Sequence, residues 1–202
     1  LTTTVFPTNA PTPVWAEFQV VEAWPTVTID DGTLGYCIPV PRHWAREPLV
    51  ERIGNETIHT YRGPTPGDWL SVRQLVPADP SADLADWLGA CLSLIGFPVV
   101  PPATSQPAVP RLLTWSGARR CADLAERLGA ADVRVADGVA LGELDSGPAF
   151  SRLYVVLARI AERAWNVNLS LFSACPPGAS EDLILANDHC RAAAVFGKLR
   201  FG

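Results

Sequence analysis

Apolar and polar positions alternate with period two over much of this chain and with the helical period over a few stretches. The clearest alternation is Trp165–Ser173, where Val167, Leu169 and Leu171 share one side, and it predicts a strand. Val133, Val135 and, beyond Gly138, Val139 and Leu141 alternate with acids, predicting a strand or hairpin over 133–144. Tyr36, Ile38 and Val40 put one face of a strand on Leu34–Val40, ahead of which Asp30-Asp31-Gly32 is a turn signal. That turn predicts a hairpin with the mixed segment Trp15–Ile29, which is interrupted near Pro25 because proline cannot donate to a ladder. Thr57–Tyr61 and Trp69–Val76 read as short strands across a Gly63–Gly67 loop rich in proline and glycine, and Leu112–Trp115 as another.

Helical spacing occurs in three places. Leu84, Trp87, Leu88, Cys91, Leu92 and Ile95 recur at i, i+3, i+4, i+7, i+8 and i+11 between Ser81 as N-cap and Gly96 as stop. Cys121, Leu124, Ala125 and Leu128 mark a helix over Ala118–Leu128, closed by Gly129. Ser180–Ala194 reads as a Ser180-capped helix, with Glu181 and Asp182 placed favourably against its dipole. Arg152–Ala164 fits both periods: Leu153, Val156, Leu157, Ile160 and Ala164 suit a helix, whereas Tyr154-Val155-Val156-Leu157 is rich in strand formers. Together these elements predict an α+β fold, a twisted and mainly antiparallel sheet flanked by about three helices. Residues 1–14, with five threonines and three prolines before Val14, read as a flexible tail or tether. Residues 15–202 read as a single domain with a proline-rich loop at 97–110, and Leu199 and Phe201 as a last edge of β structure.

Composition narrows the partners. A net charge of −5 with scattered basic residues argues against free nucleic acid and against a polybasic membrane contact. Arginine supplies all of the basic residues except Lys198, which with abundant alanine and proline suggests a bacterial source. No apolar run approaches the roughly 20 residues that span a bilayer. With no methionine in the chain, Leu1 is read as following a lost beginning. Five cysteines, Cys37, Cys91, Cys121, Cys175 and Cys190, form no C-x-x-C pair, which excludes zinc ribbons and thioredoxin-like sites, and buried thiols are expected.

Catalytic signatures are sparse. The chain holds no phosphate-binding glycine loop, no G-x-S-x-G elbow and no H-E-x-x-H, and neither a cofactor nor a metal is expected. His189 and Cys190, adjacent on a helix, point about 100° apart and cannot serve each other. Cys37 could meet His59 across neighbouring strands as a nucleophile and base. Asp132, Asp137, Glu143 and Asp145 form an acidic series suited to paired-carboxylate chemistry or, in its bland reading, to a solvated face. Tryptophan is the unusual asset, with seven in the chain. Aromatics beside arginines make recognition surfaces, so Arg42, His43 and Trp44, with Tyr61, Arg62 and Trp69, are the candidate binding residues.

The run Tyr36-Cys37-Ile38-Pro39-Val40-Pro41-Arg42-His43-Trp44 resembles the strand, proline, x, x, tryptophan opening of PsbP-like domains. The hairpin-like Leu153–Phe172, a following helix and Phe196–Phe201 resemble that family's close, and the proline-rich insert departs from it. The resemblance implies an antiparallel sheet flanked by helices that binds protein partners, as in the photosystem extrinsic protein, its Ran-binding relative and bacterial lipoproteins and secretion adaptors. It carries over no catalytic residues. The expected function is a non-enzymatic protein-binding or adaptor module of bacterial origin, associated with secretion or the envelope. A hydrolase or ligand-binding enzyme using Cys37/His59 or the 132–145 acids, and a structural subunit of a larger assembly, are the alternatives. A periplasmic or envelope-tethered site is favoured over the cytoplasm.

Overall fold

Two antiparallel sheets face one another across the core of the computed structural model, which describes residues 24–47, 51–53, 56–65, 67–75, 111–115, 119–144, 147–174, 178 and 180–202. The smaller sheet has the order β1-β2-β12, from Thr26–Asp31, Tyr36–Pro41 and Arg200–Phe201. The larger follows the order β3-β5-β6-β11-β10-β9-β7, formed by Ala45–Arg46, Glu56–Arg62, Trp69–Leu75, Arg163–Ala174, Gly147–Ile160, Asp132–Leu144 and Arg111–Trp115. Short β4 (Glu51–Ile53) pairs with β5, and β8 (Arg119–Arg120) with β9. The helices are α1 (Ala122–Leu128) and α2 (Glu181–Phe196).

The expected α+β fold with about three helices is corrected by this arrangement. The protein is mostly β, with two antiparallel sheets rather than one and two helices among the described residues. Two stretches add to the strand content, one that fits both periods and one expected as helix. Arg152–Ala164, ambiguous by periodicity, enters the long strand β10, where residues 152–158 are buried on both faces. A strand covered on both sides loses the alternation that marks a half-buried one, so its apolar run mimics a helix. The helix expected over Ala118–Leu128 shortens to α1 because Arg119 and Arg120 pair with Val135 and Arg134 of β9. The helix expected at Ser81–Ile95, the tail and the proline-rich loop lie outside the described residues.

Other expectations match. Asp30-Asp31-Gly32 turns β1 into β2, with Asp31 opposite Tyr36 and Thr26 opposite Pro41, and Thr26 begins the strand directly after Pro25. Gly35 closes the turn at φ 67°, and a Cβ there would come within 3.0 Å of the Gly202 carbonyl oxygen, so both backbone and space call for glycine. Ser180 occupies the N-cap of α2 in extended conformation, but its side chain makes no capping hydrogen bond.

Register decides what each face of the large sheet carries. Val135, Val156, Val167, Val72 and His59 lie in one cross-strand row, and this face packs inward with Trp165, Leu169, Leu171, Leu70 and Tyr61. The small sheet answers with Leu34, Tyr36, Ile38 and Val40. Trp165 joins the layers, its indole Nε1 donating to the Leu34 carbonyl (3.3 Å) and its ring lying 4.9 Å from that of Phe201. Helix α2 packs against β2 and β11, and its run Ala192–Phe196 is buried all round, as befits a helix end enclosed by sheet. Arg127 of α1 donates to the Phe196 (2.9 Å) and Gly197 carbonyls, placing a cation where the α2 dipole is negative.

Candidate functional site

Where the small sheet meets β5, five polar side chains converge between the two sheets. Asp31 ends β1, Tyr36 begins β2, Arg46 lies in β3, and His59 and Tyr61 project from the inward face of β5. The hairpin turn positions Asp31 by its own backbone: Oδ1 accepts the Thr33 and Leu34 N–H groups, both at 3.0 Å. Its other oxygen, Oδ2, lies 3.2 Å from both His59 Nδ1 and the Arg46 guanidinium. Tyr36 Oη is 2.9 Å from His59 Nδ1 and 2.8 Å from Tyr61 Oη. Arg46 also reaches the imidazole, at 3.0 Å from Nε2 and 3.1 Å from Nδ1.

These contacts assign the histidine proton. With hydrogen on Nδ1, His59 donates toward Asp31 and leaves Nε2 to accept from Arg46, whereas the other tautomer would set two acceptors, Nδ1 and the carboxylate, against each other. An aspartate behind Nδ1 is the orienting pair of nucleophilic hydrolases. Here, however, the nitrogen that would take a proton faces a guanidinium, and His59 is 2% exposed. Burial first, then Arg46, lowers its pKa below 6.5, against the opposing pull of Asp31. The ring is held neutral and occupied. Burial also acts to raise Asp31, yet the Leu34 N–H, His59, Arg46 and the Thr33 N–H together outweigh it, and its pKa falls below the ordinary value. Burial and the hydrogen bond to Tyr61 push Tyr36 far above the usual phenol range, so it remains a neutral donor. The cluster is a satisfied polar lock between the sheets, with only Arg46 (side chain 43% exposed) at the surface.

The structure separates Cys37 from His59. Tyr36 turns inward to the imidazole, so its strand neighbour Cys37 projects from the other face of β2, beside Asp30 and Arg200 in the ladder. It also separates the acids. Asp132 and Asp137, an odd number of residues apart on β9, face opposite sides: Asp132 pairs with Arg134 (3.1 Å), while Asp137 lies opposite Tyr154. The Glu143 side chain and Asp145 lie outside the described residues. Among the described residues no group of three or more histidine, cysteine or acidic side chains could hold a metal.

The six aromatic and basic candidates divide into three places. Tyr61 is buried in the lock. Arg62 and Trp69 are cross-strand partners on the outer face of the large sheet, where Arg62 pairs with Glu47 (2.7 Å). Arg42, His43 and Trp44 form the turn after β2, held by the Trp44 N–H on the Pro41 carbonyl (2.9 Å) and the Arg42 N–H on that of Pro25 (3.1 Å). Arg42 and His43 are exposed. Trp44 lies against Gly63, where a Cβ would come within 2.7 Å of its indole, and meets Trp24 edge to face at 5.8 Å. Arg191 of α2 lies over Trp24, its guanidinium carbon 5.5 Å from the ring centre. Sequence reasoning missed Trp24 and Arg191 as members because 167 positions of chain separate them, and only the packing of α2 on β2 brings them together.

A second buried acid sits under α2. Asp188 accepts from the Ser173 hydroxyl (3.0 Å) and pairs with Arg152 (3.3 Å) and, at the edge of range, Arg191 (3.7 Å). Its pKa is raised, because burial outweighs Ser173 and the two arginines and Asp68 adds repulsion. Asp188 thus ties Arg191, and through it the tryptophan pair, to the core.

The chain matches no known protein-family model and no curated protein. No helix among the described residues is long and apolar enough to cross a membrane.

Proposed function

We propose that the protein is a non-enzymatic protein-binding or adaptor module of bacterial, envelope- or secretion-associated origin, and that its partner docks on the surface around Trp24, Arg42, His43, Trp44 and Arg191. The observation that carries this reading is the Trp44–Trp24–Arg191 stack, half-buried at the protein surface and flanked by exposed Arg42 and His43. Tryptophan and arginine dominate the energetic centres of protein interfaces, because each offers a large, rigid contact area together with a polar handle. Here the aromatic pair is already ordered by Gly63 and by the cation above it, which lowers the entropy lost on docking. The resemblance to PsbP-like domains agrees with a binding role. The enzymatic alternative finds less support, since Cys37 and His59 face apart and Nε2 of His59 is occupied by Arg46.

Photo-crosslinking tests the reading. His43→p-benzoylphenylalanine should form a discrete adduct in lysate of the source cells, and a second substitution, Arg42→Ala, should abolish it while leaving the thermal midpoint unchanged. The same probe at exposed Glu162, in the β10–β11 turn, should not form that adduct. Identical adducts from both probe positions, or an adduct indifferent to Arg42→Ala, would remove this surface from consideration.

A further inference from the structure

The charge that reaches solvent around the tryptophan pair has the opposite sign to the chain as a whole. The protein carries a net charge of −5. Yet the charged and polar groups exposed beside Trp24 and Trp44 are Arg42, His43 and the guanidinium of Arg191, whose side chain is 34% exposed. Two acids adjoin this corner, and both are turned inward. Asp188 is fully buried and accepts from the Ser173 hydroxyl at 3.0 Å. Arg152 claims its carboxylate at 3.3 Å and Arg191 meets it only at 3.7 Å, so one anion answers two guanidiniums. Asp68, which flanks Gly63 opposite Trp44, is 9% exposed. Its Oδ1 accepts the Phe172 N–H (2.8 Å) and its Oδ2 the Thr65 hydroxyl (2.7 Å). Among the described residues no acid pairs with Arg42. A partner approaching this corner therefore meets cations in front and anions already engaged behind them.

The geometry suits a carboxylate in particular. A guanidinium presents five N–H donors in a planar fork, which a carboxylate meets with two parallel, charge-assisted hydrogen bonds. Contact with Trp24 restrains Arg191, so less side-chain freedom remains to be lost on binding. Trp24 and Trp44, half-buried and edge to face, supply aromatic surface beside both cations for an apolar side chain. The net negative charge of the chain limits how long an anionic ligand can be. Screening confines the attraction of exposed charges to about 8 Å at physiological salt, so a short acidic segment engages the corner alone, whereas a long polyanion would also run against the acidic remainder.

We propose that the partner docking on this surface presents a short acidic peptide segment, with carboxylates on Arg42 and Arg191 and an apolar side chain on the Trp24–Trp44 pair. This assignment rests on the docking surface proposed above and gives the chemistry of its partner. The probe is a random peptide library displayed on phage and selected on the immobilised protein, the recovered peptides then being labelled and titrated by fluorescence anisotropy. Recovered sequences should be rich in aspartate and glutamate around an apolar residue. Their affinity should fall about tenfold or more in Arg42→Ala, the equivalent of one charge-assisted hydrogen bond. It should also fall as salt is raised, because exposed ion pairs are screened. Arg163→Ala, which removes an exposed arginine at the start of β11, should leave it unchanged. In spectra of ¹⁵N-labelled protein the indole signals of Trp24 and Trp44 should move on binding, and that of buried Trp165 should not. Recovery of neutral or basic peptides, recovery no greater than from an uncoated surface, or equal losses in Arg42→Ala and Arg163→Ala would each overturn the assignment. If one of these occurs while the photo-adduct at position 43 still depends on Arg42, the docking surface stands and its partner is not acidic. If that adduct also fails, the surface itself falls.

Discussion

Asp31 and Asp188 are both aspartates buried beside an arginine, yet the protein moves their acidities in opposite directions. Asp31 sits in a turn whose two N–H groups were committed to its Oδ1 by local geometry, so the donors cost no tertiary rearrangement and favour the charged form. Asp188 depends on partners from other elements, a Ser173 hydroxyl on β11 and Arg152 on β10, and its burial is the more complete. Ion pairing across the core therefore offsets only part of the desolvation there, whereas backbone donors tip the balance at the turn. The difference shows why two carboxylate–arginine pairs in one fold have unlike roles. Asp31 fastens one sheet to the other, and Asp188 holds α2 under strain of burial.

Removing one partner is the sharpest way to break the comparison. Asp188→Ala leaves Arg152 buried without its carboxylate and should cost about 3–5 kcal/mol in urea unfolding. A cost under about 1 kcal/mol would mean that Asp188 is neutral and weakly engaged in the native state. Tyr36→Phe removes the hydroxyl shared by His59 and Tyr61 and should cost about 1–2 kcal/mol by the same measurement.

Acidity tests the opposition directly. Asp31, depressed below 3.8 in the fold, contributes stability that is present above that value and lost as pH falls through its lower native pKa. His59, depressed below 6.5, acts with the same sign, its contribution being lost as pH falls beneath 6.5. Asp188, raised above 3.8, has the reverse sign: its contribution is full below 3.8 and is lost as pH climbs through the raised native value. Asp31→Asn should accordingly flatten the acid limb of the stability profile, and Asp188→Asn should remove the decline on the rising side. Parallel profiles for the two variants would undo the distinction. The smallest effect is expected of Arg46→Ala, about 1 kcal/mol or less, because a half-exposed cation is screened by solvent. It should also let the His59 pKa rise, measurable by NMR titration, since Arg46 is the charge that opposes protonation.

Legibility from sequence followed the range of the interactions. The β1–β2 hairpin was readable because Asp30-Asp31-Gly32 is a local turn signal, α2 because Ser180 and the acids after it mark a helix start, and β11 because its alternate positions are polar (Asn166, Asn168, Ser170) although both of its faces are covered. Strand β10 was not, since burial on both faces erases period two. Of the proposed docking surface, Arg42, His43 and Trp44 were legible as an aromatic–basic turn. Tyr61 looked like a surface aromatic and is instead buried, its hydroxyl spent on Tyr36. Asn166 and Asn168 fall at the polar positions of an alternating strand, which ordinarily means solvent, and nothing local announces that they are covered.

What the chain determined by itself, then, were the elements whose cause lies within a few residues: turns set by aspartate and glycine, the start of β1 directly after Pro25, and the inward faces of β2 and β11. Tertiary structure alone decided that Asp31 would meet His59, that Arg191 would lie on Trp24, and that two sheets rather than one would enclose the core. The physical reason is that periodicity records whether a side chain is buried, while pairing and register record against what. Partners such as Trp165 and Leu34 lie 131 residues apart, and no local pattern carries that information.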